Sequence, residues 1–320
     1  MFINRNIKRI ILAICLIILI FLPKFIPGYG IRILTAIFMY AIIAQGINLM
    51  SGYMGYLPFG NAMFFGVGAY ITAIMMAKGL TFLWAMILGG IASILVSTLF
   101  GLPVLRLRGH YFAIATIGVS GALLSIVQNA TEITGGAMGT TLPVIEGSPQ
   151  VTYSYFYWGM LTLMIVVTLI ISYVMKTKFG YGIRSIKANE EAADAMGINT
   201  TQHKVITWAI SAFFTSLAGS IYAYWMSFIA PDEVFNIMII VHAIVILLIG
   251  GMGTVLGPII GAFIIELLSE VAWSNFLEYH LAVMGIVTLI IIFFIPKGVV
   301  GTFSEIRKKR KIRQGEKEAV

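Results

Sequence analysis

Apolar runs long enough to cross a lipid bilayer recur along almost the whole of this chain. A helix of about 20 apolar residues spans the roughly 30 Å of bilayer hydrocarbon. Because lipid offers no partner for backbone N–H and C=O groups, a continuous apolar run crosses it as a helix. Only 11% of the 320 residues are charged, whereas 59% are hydrophobic. The sequence therefore predicts an all-α fold, a polytopic helical membrane protein.

About ten transmembrane helices are predicted, one for each apolar run. The runs are Ile10 to Leu22, Ile33 to Met50, Leu57 to Ala77, Phe82 to Leu102, Tyr111 to Gln128, Tyr155 to Met175, Val205 to Phe228, Phe235 to Ile249, Pro258 to Trp273 and Leu281 to Ile295. The first run follows three basic residues, as a signal peptide does. No small-residue cleavage site follows Leu22, so we expect this run to stay as a span.

The basic residues indicate how the chain crosses the membrane. If the spans alternate, only Lys24, Arg32 and Lys78 of the 21 Lys and Arg lie outside, and both termini are cytoplasmic. This placement accounts for the net charge of +8 without nucleic acid. The external loops instead hold acidic residues, which are either solvated or help to dock an external protein: Glu132, Glu146, Asp232, Glu233 and Glu278. Residues 1–303 form the transmembrane domain, and 304–320 form a basic cytoplasmic tail.

One long interior segment, Lys176 to Ala223, is rich in charge, and its centre predicts a short capped helix between two spans. Asn189 can cap the first turn, and Glu190, Glu191 and Asp194 lie near the positive end of the helix dipole. Gly197 can supply the left-handed residue that ends the helix. We call residues 176–204 the coupling loop. Its helix is expected to contact a partner outside the membrane, and the alternative is a solvated connector between two spans.

Several kinds of chemistry lack their usual residues in this sequence. There is no G-x-x-x-x-G-K-[ST] loop to bind nucleotide phosphates, and one cysteine, Cys15, offers neither a disulfide nor a metal cluster. Glu266 and Glu270 are the acids within an apolar run, one helical turn apart. They are either a cation or proton relay or residues that reach water near a helix end. His242 has no partner at metal-ligand spacing and is expected to be a hydrogen-bonded core histidine.

Uncharged polar residues within the apolar runs are the candidates for a solute path. They are Gln45, Asn48, Asn61, Thr116, Ser211 and Thr215. Hydrogen bonding between helices is the alternative role for each of them.

The centre of the coupling loop has the form E-A-A-x-x-x-G, from Glu191 to Gly197. This resembles the cytoplasmic signature of permease subunits in bacterial ATP-binding-cassette importers. Its flanks, Thr177 to Ile186 and Ser216 to Ala223, are similar to those of branched-chain amino acid permeases, as are the segments Ser51 to Tyr70, Leu105 to Ala113, Thr134 to Gly136 and Leu248 to Pro258. The likeness covers about residues 45 to 265. Pro58-Phe59 and Asn61 stand where related chains usually have Ser-Leu and His.

The resemblance implies a multi-pass permease in a bacterial cytoplasmic membrane that carries leucine, isoleucine and valine, and is not itself an enzyme. It implies a second related permease subunit, ATP-binding-cassette subunits that bind ATP and Mg²⁺, and an extracytoplasmic solute-binding protein. Residues expected to couple to the ATPase are Arg184, Glu190, Glu191, Ala192, Ala193 and Gly197. The alternative substrates are urea, ribose and nucleosides, because permeases for these solutes share this architecture. An ion-coupled carrier using Glu266 and Glu270, or a scaffold without a path, are the alternatives from other classes.

Overall fold

The computed structural model describes residues 18–145 and 147–275, together with 279, 282, 285, 286, 288, 289, 293 and 298–302. Most of the predicted first and tenth runs, the 304–320 tail, Cys15, Glu146 and Glu278 lie outside the described residues.

The described chain is almost entirely helical. Its main helices are α1 (Gly28–Asn48), α2 (Ala62–Ala77), α3 (Phe82–Val104), α4 (Gly109–Asn129), α5 (Pro149–Val174), α6 (Lys178–Ala188), α7 (Glu190–Ala195), α8 (Thr200–Met226), α9 (Ile237–Gly250) and α10 (Gly257–Asn275). Shorter helical turns are Leu22–Lys24, Thr131–Thr134, Gly136–Met138 and Pro231–Val234. Two strands, β1 (Thr140–Thr141) and β2 (Phe228–Ile229), pair antiparallel.

Eight helical segments of the described chain are long and apolar enough to cross a membrane. They are Gly28–Met54, Phe59–Ala77, Phe82–Val104, Gly109–Asn129, Pro149–Val174, Thr200–Met226, Pro231–Gly250 and Gly257–Asn275. They coincide with the predicted second to ninth runs, so the all-α polytopic fold is confirmed. Helices α1, α5 and α8 begin five or six residues before the predicted runs, because a helix continues through polar residues that an apolar pattern does not mark.

The connection before α5 is shorter than the predicted external loop from Asn129 to Tyr153. Pro149 occupies the first turn of α5, where its missing N–H would in any case have no helical acceptor. Residues 149–153 are therefore helical. The rest of the connection contains short helical turns and strand β1, and Leu142 N–H also donates to the Ser227 carbonyl.

Contacts among the loops divide the bundle into two ends. At one end Arg108, before α4, contacts Glu190 and Glu191 of α7. At the other end β1 pairs with β2, and Gln128 at the end of α4 donates to Asp232. The loops predicted to be cytoplasmic thus meet each other, and so do those predicted to be external, which agrees with the predicted alternation of the spans.

The centre of the bundle is a close crossing of α2 and α8, with α3 against both. A Cβ atom at Gly219 would lie 2.1 Å from the Phe65 carbonyl oxygen, and one at Gly68 would lie 2.1 Å from that of Ser216. The Ser220 hydroxyl donates to the Gly68 carbonyl across the same contact, at 3.1 Å. Such close backbone approach is a main source of helix association in lipid, where water does not drive helices together.

Between α1 and α2 the chain is irregular. Helix α1 continues as a π-helix, Leu49–Met54, which ends at Gly55 with φ +89°. Residues 55–58 are not helical, and a 3₁₀ turn, Phe59–Asn61, leads into α2. We call residues 49–58 the π segment. Residues 49–54 are all buried, so protein surrounds this irregular backbone.

Candidate functional site

Side-chain caps define the three helices of the coupling loop. The Thr177 hydroxyl accepts from the Gly180 N–H at the start of α6, and the Asn189 side chain accepts from the Ala192 N–H at the start of α7. The Asn199 side chain caps α8 by accepting from the Gln202 N–H. Gly197 has φ +85° and ends α7. The predicted Asn189 cap and the left-handed glycine are therefore confirmed.

Helix α7 has one face turned toward solvent and one toward the chain. Four of the six predicted coupling residues are exposed: Arg184, Glu191, Ala192 and Gly197. Their neighbour Met196 is 72% exposed, an unusual position for a large apolar side chain. Ala193 is fully buried and packs within this chain, so its side chain cannot touch a partner directly. Glu190 also faces the chain, which leaves both as residues that can hold the helix in place.

Glu190 is the centre of a charged cluster formed by four separate segments. Its carboxylate lies 2.5 Å from Lys204 Nζ at the start of α8 and accepts a hydrogen bond from Tyr56 Oη at 2.5 Å. The Arg108 guanidinium is 3.5 Å away and also contacts Glu191 at 3.1 Å. The Glu190 and Lys204 side chains are only 13% and 5% exposed, whereas Arg108 is 57% exposed.

The cluster keeps Glu190 ionised despite its burial. Burial alone raises the pKa of this carboxyl, but the hydrogen bonds from Lys204 and Tyr56 and the positive charges of Lys204 and Arg108 outweigh it, so its pKa is lowered. Burial and the bond to Glu190 raise the pKa of Tyr56, so the phenol remains a donor. Lys204 also donates to the Leu105 carbonyl at 3.2 Å and lies 4.8 Å from the centre of the Tyr56 ring. The lysine is thereby fixed between α3 and α7.

The predicted solute-path residues of α1 are buried and bonded within the chain. Gln45 donates to the Thr168 hydroxyl of α5 at 2.8 Å. Asn48 donates to the Thr254 carbonyl and accepts from the Gly253 N–H, both at 2.8 Å. Gln45 therefore joins α1 to α5, and Asn48 joins α1 to the turn between α9 and α10. Hydrogen bonding of this kind is the alternative role that the sequence left open.

The other four predicted path residues are fully buried, and two of them, Asn61 and Ser211, form one network with Trp208. Asn61 donates to the Ser211 hydroxyl at 2.9 Å and accepts from the Trp208 indole at 2.8 Å. Thr116 accepts from the Gly60 N–H beside it, at 3.2 Å. Thr215 Oγ1 has no hydrogen-bond partner among the described residues. A role for these residues in a solute path stays a prediction.

The two glutamates of α10 have different partners. Glu266 lies 2.6 Å from His242 Nε2, and the His242 ring packs against Tyr40 with ring centroids 4.7 Å apart. Glu270 accepts a hydrogen bond from Tyr29 Oη at the start of α1. His242 is thus a hydrogen-bonded histidine, as expected. The Glu266–His242 pair connects α10 to α9, and the Glu270–Tyr29 pair connects α10 to α1.

Sequence reasoning did not single out Tyr56 and Lys187. It used Arg108 and Lys204 for membrane orientation and for the family resemblance, and gave neither a bonding partner. Lys204 stands 14 positions after Glu190 and beyond a turn, so no helical spacing relates them. The sequence offered one indication of its role, namely that this charged residue directly precedes an apolar run. A lysine that is 4% exposed requires a partner, but only the tertiary fold identifies it as Glu190.

A family model described as the permease component of branched-chain amino acid transport systems matches residues 29–292. The match runs from the start of α1 to beyond the end of α10 and includes the coupling loop. The chain belongs to this family. It is therefore a transport permease component, which confirms the resemblance seen in the sequence.

Individual relatives of the permease family match most of this chain. It is 26% identical to the high-affinity branched-chain amino acid transport system permease protein LivM of Salmonella typhimurium, over 97% of this chain and 78% of that protein. LivM of Escherichia coli K12 is 25% identical, over 97% and 79%. The permease LivH of the same strain is 25% identical, over 82% and 91%. No solved structure matches the chain.

Proposed function

We propose that this permease is the membrane-spanning subunit of an ATP-driven importer that carries leucine, isoleucine and valine across a bacterial cytoplasmic membrane. The observation that carries the proposal is the family match across the eight spans, in relatives named for branched-chain amino acid transport. The coupling loop adds a mechanical reason. It presents a short, capped helix with an exposed face, held rigidly by the cluster around Glu190.

Energy enters this system through partner subunits. The sequence has no phosphate-binding loop of its own, so ATP and Mg²⁺ bind to ATP-binding-cassette subunits. The exposed face of α7, with Glu191, Ala192 and Met196, seats in a cleft of such a subunit. Movement of the ATPase on nucleotide binding then favours one arrangement of the spans over another. Differential contact in two states is what couples ATP to transport.

A second, related permease completes the conduit. This chain resembles both LivM and LivH, two differently named permeases of one Escherichia coli strain. Helix α4 offers a surface for such a partner. It carries Gly118 and Gly121, where an added Cβ would meet nothing within 4 Å among the described residues. Small residues on an outward face let another helix approach closely in lipid.

An extracytoplasmic solute-binding protein supplies the amino acid. Glu132, Asp232 and Glu233 are exposed together with Ile133 and Met138 at the end of the bundle opposite the coupling loop. A mixed acidic and apolar surface of this kind fits a protein partner with complementary charge.

Competition for uptake tests the substrate class. Proteoliposomes containing this chain, its permease and ATPase partners, the solute-binding protein and internal ATP are expected to accumulate labelled leucine. Excess isoleucine or valine should abolish the signal, and excess urea, ribose or nucleoside should leave it unchanged. The proposal for branched-chain amino acids would be contradicted if leucine did not accumulate and urea, ribose or a nucleoside did.

Replacement of Gly197 by isoleucine is expected to lower uptake about tenfold without lowering the amount of protein in the membrane. The position has φ +85°, where a β-branched residue is strained by about 1–2 kcal/mol. No described atom lies near an added Cβ, so the effect is on the end of α7 and not on packing. Gly197→Asn is the control, because asparagine tolerates this conformation. Equal uptake in the isoleucine and asparagine variants would remove the role assigned to this turn.

A further inference from the structure

Three side chains of the coupling loop converge on the π segment. Lys187 Nζ, near the end of α6, donates to the Gly52 carbonyl at 2.5 Å. The Arg184 guanidinium lies 5.7 Å from the centre of the Tyr53 ring. Glu190 of α7 accepts from Tyr56 Oη at 2.5 Å. Helices α6 and α7 therefore both hold the same ten-residue stretch of the membrane domain.

The π segment differs from the helices on either side of it. A π-helix is rare and occurs mostly as single turns at functional sites. Here it is followed directly by Gly55 in the left-handed conformation and by three further non-helical residues. This stretch joins α1 to α2 without a continuous helical backbone. Residues 55–58 are not helical, so their dihedral angles can change without breaking the hydrogen bonds within α1 or α2.

The N-terminal part of the π segment is attached to the turn between α9 and α10. Asn48, the residue before the π-helix, bonds to the Gly253 N–H and the Thr254 carbonyl, both at 2.8 Å. The backbones touch directly as well, since a Cβ atom at Gly52 would lie 2.6 Å from Gly253 N. A displacement of the π segment is therefore passed to α9 and α10 at that turn.

The other end of the π segment leads into the buried polar network. Asn61 follows it by three residues and is bonded to Ser211 and Trp208 of α8. Lys204, at the start of the same helix, is bonded to Glu190. The coupling loop thus reaches the centre of the bundle along two connected routes, one through α8 and one through the π segment.

We propose that the π segment is the relay through which movement of the coupling loop enters the membrane domain, and that Lys187 and Tyr56 are the residues that position it. The proposal rests on the proposed function, because it concerns how ATPase movement is passed on. Lys187 is suited to this role since its ammonium group holds a backbone carbonyl, so it pulls on the main chain and not on a side chain that can rotate away. Tyr56 links the same stretch to Glu190, the less exposed carboxylate of the cluster, at 13% against 79% for Glu191.

The test separates ATP hydrolysis from transport. In the reconstituted complex, Lys187→Met should hydrolyse ATP at a rate within about twofold of wild type but move about tenfold less leucine per ATP. Lys187→Arg should restore most of this ratio, because it keeps a charged donor. The control is Arg106→Met, which removes a charge from an exposed residue at the same end of the bundle, with no side-chain bond among the described residues. It should behave as wild type.

Tyr56→Phe provides a second measurement, since it removes one oxygen atom and leaves the ring against Lys204. It should lower leucine moved per ATP about fivefold, even if Lys187→Met does not reach the membrane. A wild-type ratio in Tyr56→Phe, or in Lys187→Met, would overturn the relay. Loss of hydrolysis and transport together in both variants would also overturn it, since the residues would then act in assembly with the ATPase. A wild-type complex that neither hydrolyses ATP nor accumulates leucine would instead count against the proposed function.

Discussion

Replacement of Lys204 by methionine is expected to destabilise the protein by about 3 kcal/mol, because it leaves the buried Glu190 carboxylate without its nearest positive charge. The two side chains are 5% and 13% exposed, and the ammonium lies 2.5 Å from the carboxylate. Tyr56 and the more distant Arg108 remain, but neither provides a buried charge. Thermal unfolding of the purified variant should show a clear decrease in Tm.

Glu190→Gln combined with Lys204→Met tests the physical reason for that decrease. If the cost comes from the unpaired charge, neutralising it should recover part of the lost stability, and the double variant should be more stable than Lys204→Met alone. Lys176→Met is the control, because Lys176 is exposed and forms no ion pair in the described part of the chain. Lys204→Met unfolding at the same temperature as Lys176→Met would contradict the account.

The contribution of Glu190 to stability should depend on pH. Because the pKa of Glu190 is lowered in the folded protein, the unfolded state takes up a proton first as pH falls. The stability that the ionised carboxylate contributes is complete above its ordinary pKa, and it is lost as pH falls through the lower value of the folded state. The difference in Tm between wild type and the Glu190→Gln variant should therefore shrink in acid.

Replacement of Gly219 by valine is expected to prevent folding, so that almost no folded chain is found in the membrane. The first added atom would lie 2.1 Å from the Phe65 carbonyl oxygen, which belongs to the backbone of α2 and cannot rotate away. Separating α2 from α8 would also break the bond from Ser220 to Gly68. Overpacking a core costs about 1–3 kcal/mol even where side chains can adjust, and here the neighbour is main chain.

Gly159→Ala is the matched control for this substitution. An added Cβ at Gly159, in α5, would meet nothing within 4 Å among the described residues. Alanine also favours a helix over glycine by about 0.5–1 kcal/mol, so this variant should be at least as stable as wild type. Wild-type amounts of folded Gly219→Val in the membrane would show that α2 and α8 do not cross as closely as described.

Local chemistry explains what the sequence predicted well. Apolar runs mark spans because lipid imposes the same requirement on every one of them. The Asn189 cap and the Gly197 turn were predictable because each depends on atoms within a few residues. The exposed face of α7 and the buried position of Ala193 were not predictable from a six-residue helix without its neighbours.

Contacts between distant segments could not be predicted from the sequence. Asn61 is polar in an apolar run, which suggests either a path or a bond between helices, and only the fold shows Ser211 and Trp208 beside it. The π segment gave no periodic signal, since most of it lies in the short stretch between two predicted apolar runs. The bond from Lys187 to Gly52 joins residues 135 positions apart, and its acceptor is a backbone carbonyl that every residue carries.

Reconstitution with separate energy sources tests the central claim, that this permease takes its driving force from partner subunits through the coupling loop. Proteoliposomes of the complete complex should accumulate leucine with ATP inside and should stop when ATP is replaced by a non-hydrolysable analogue. Vesicles holding this chain alone should show no uptake under a proton or sodium gradient. Leucine accumulation by the chain alone, driven by an ion gradient and lost when Glu266 and Glu270 are both changed to glutamine, would contradict the claim.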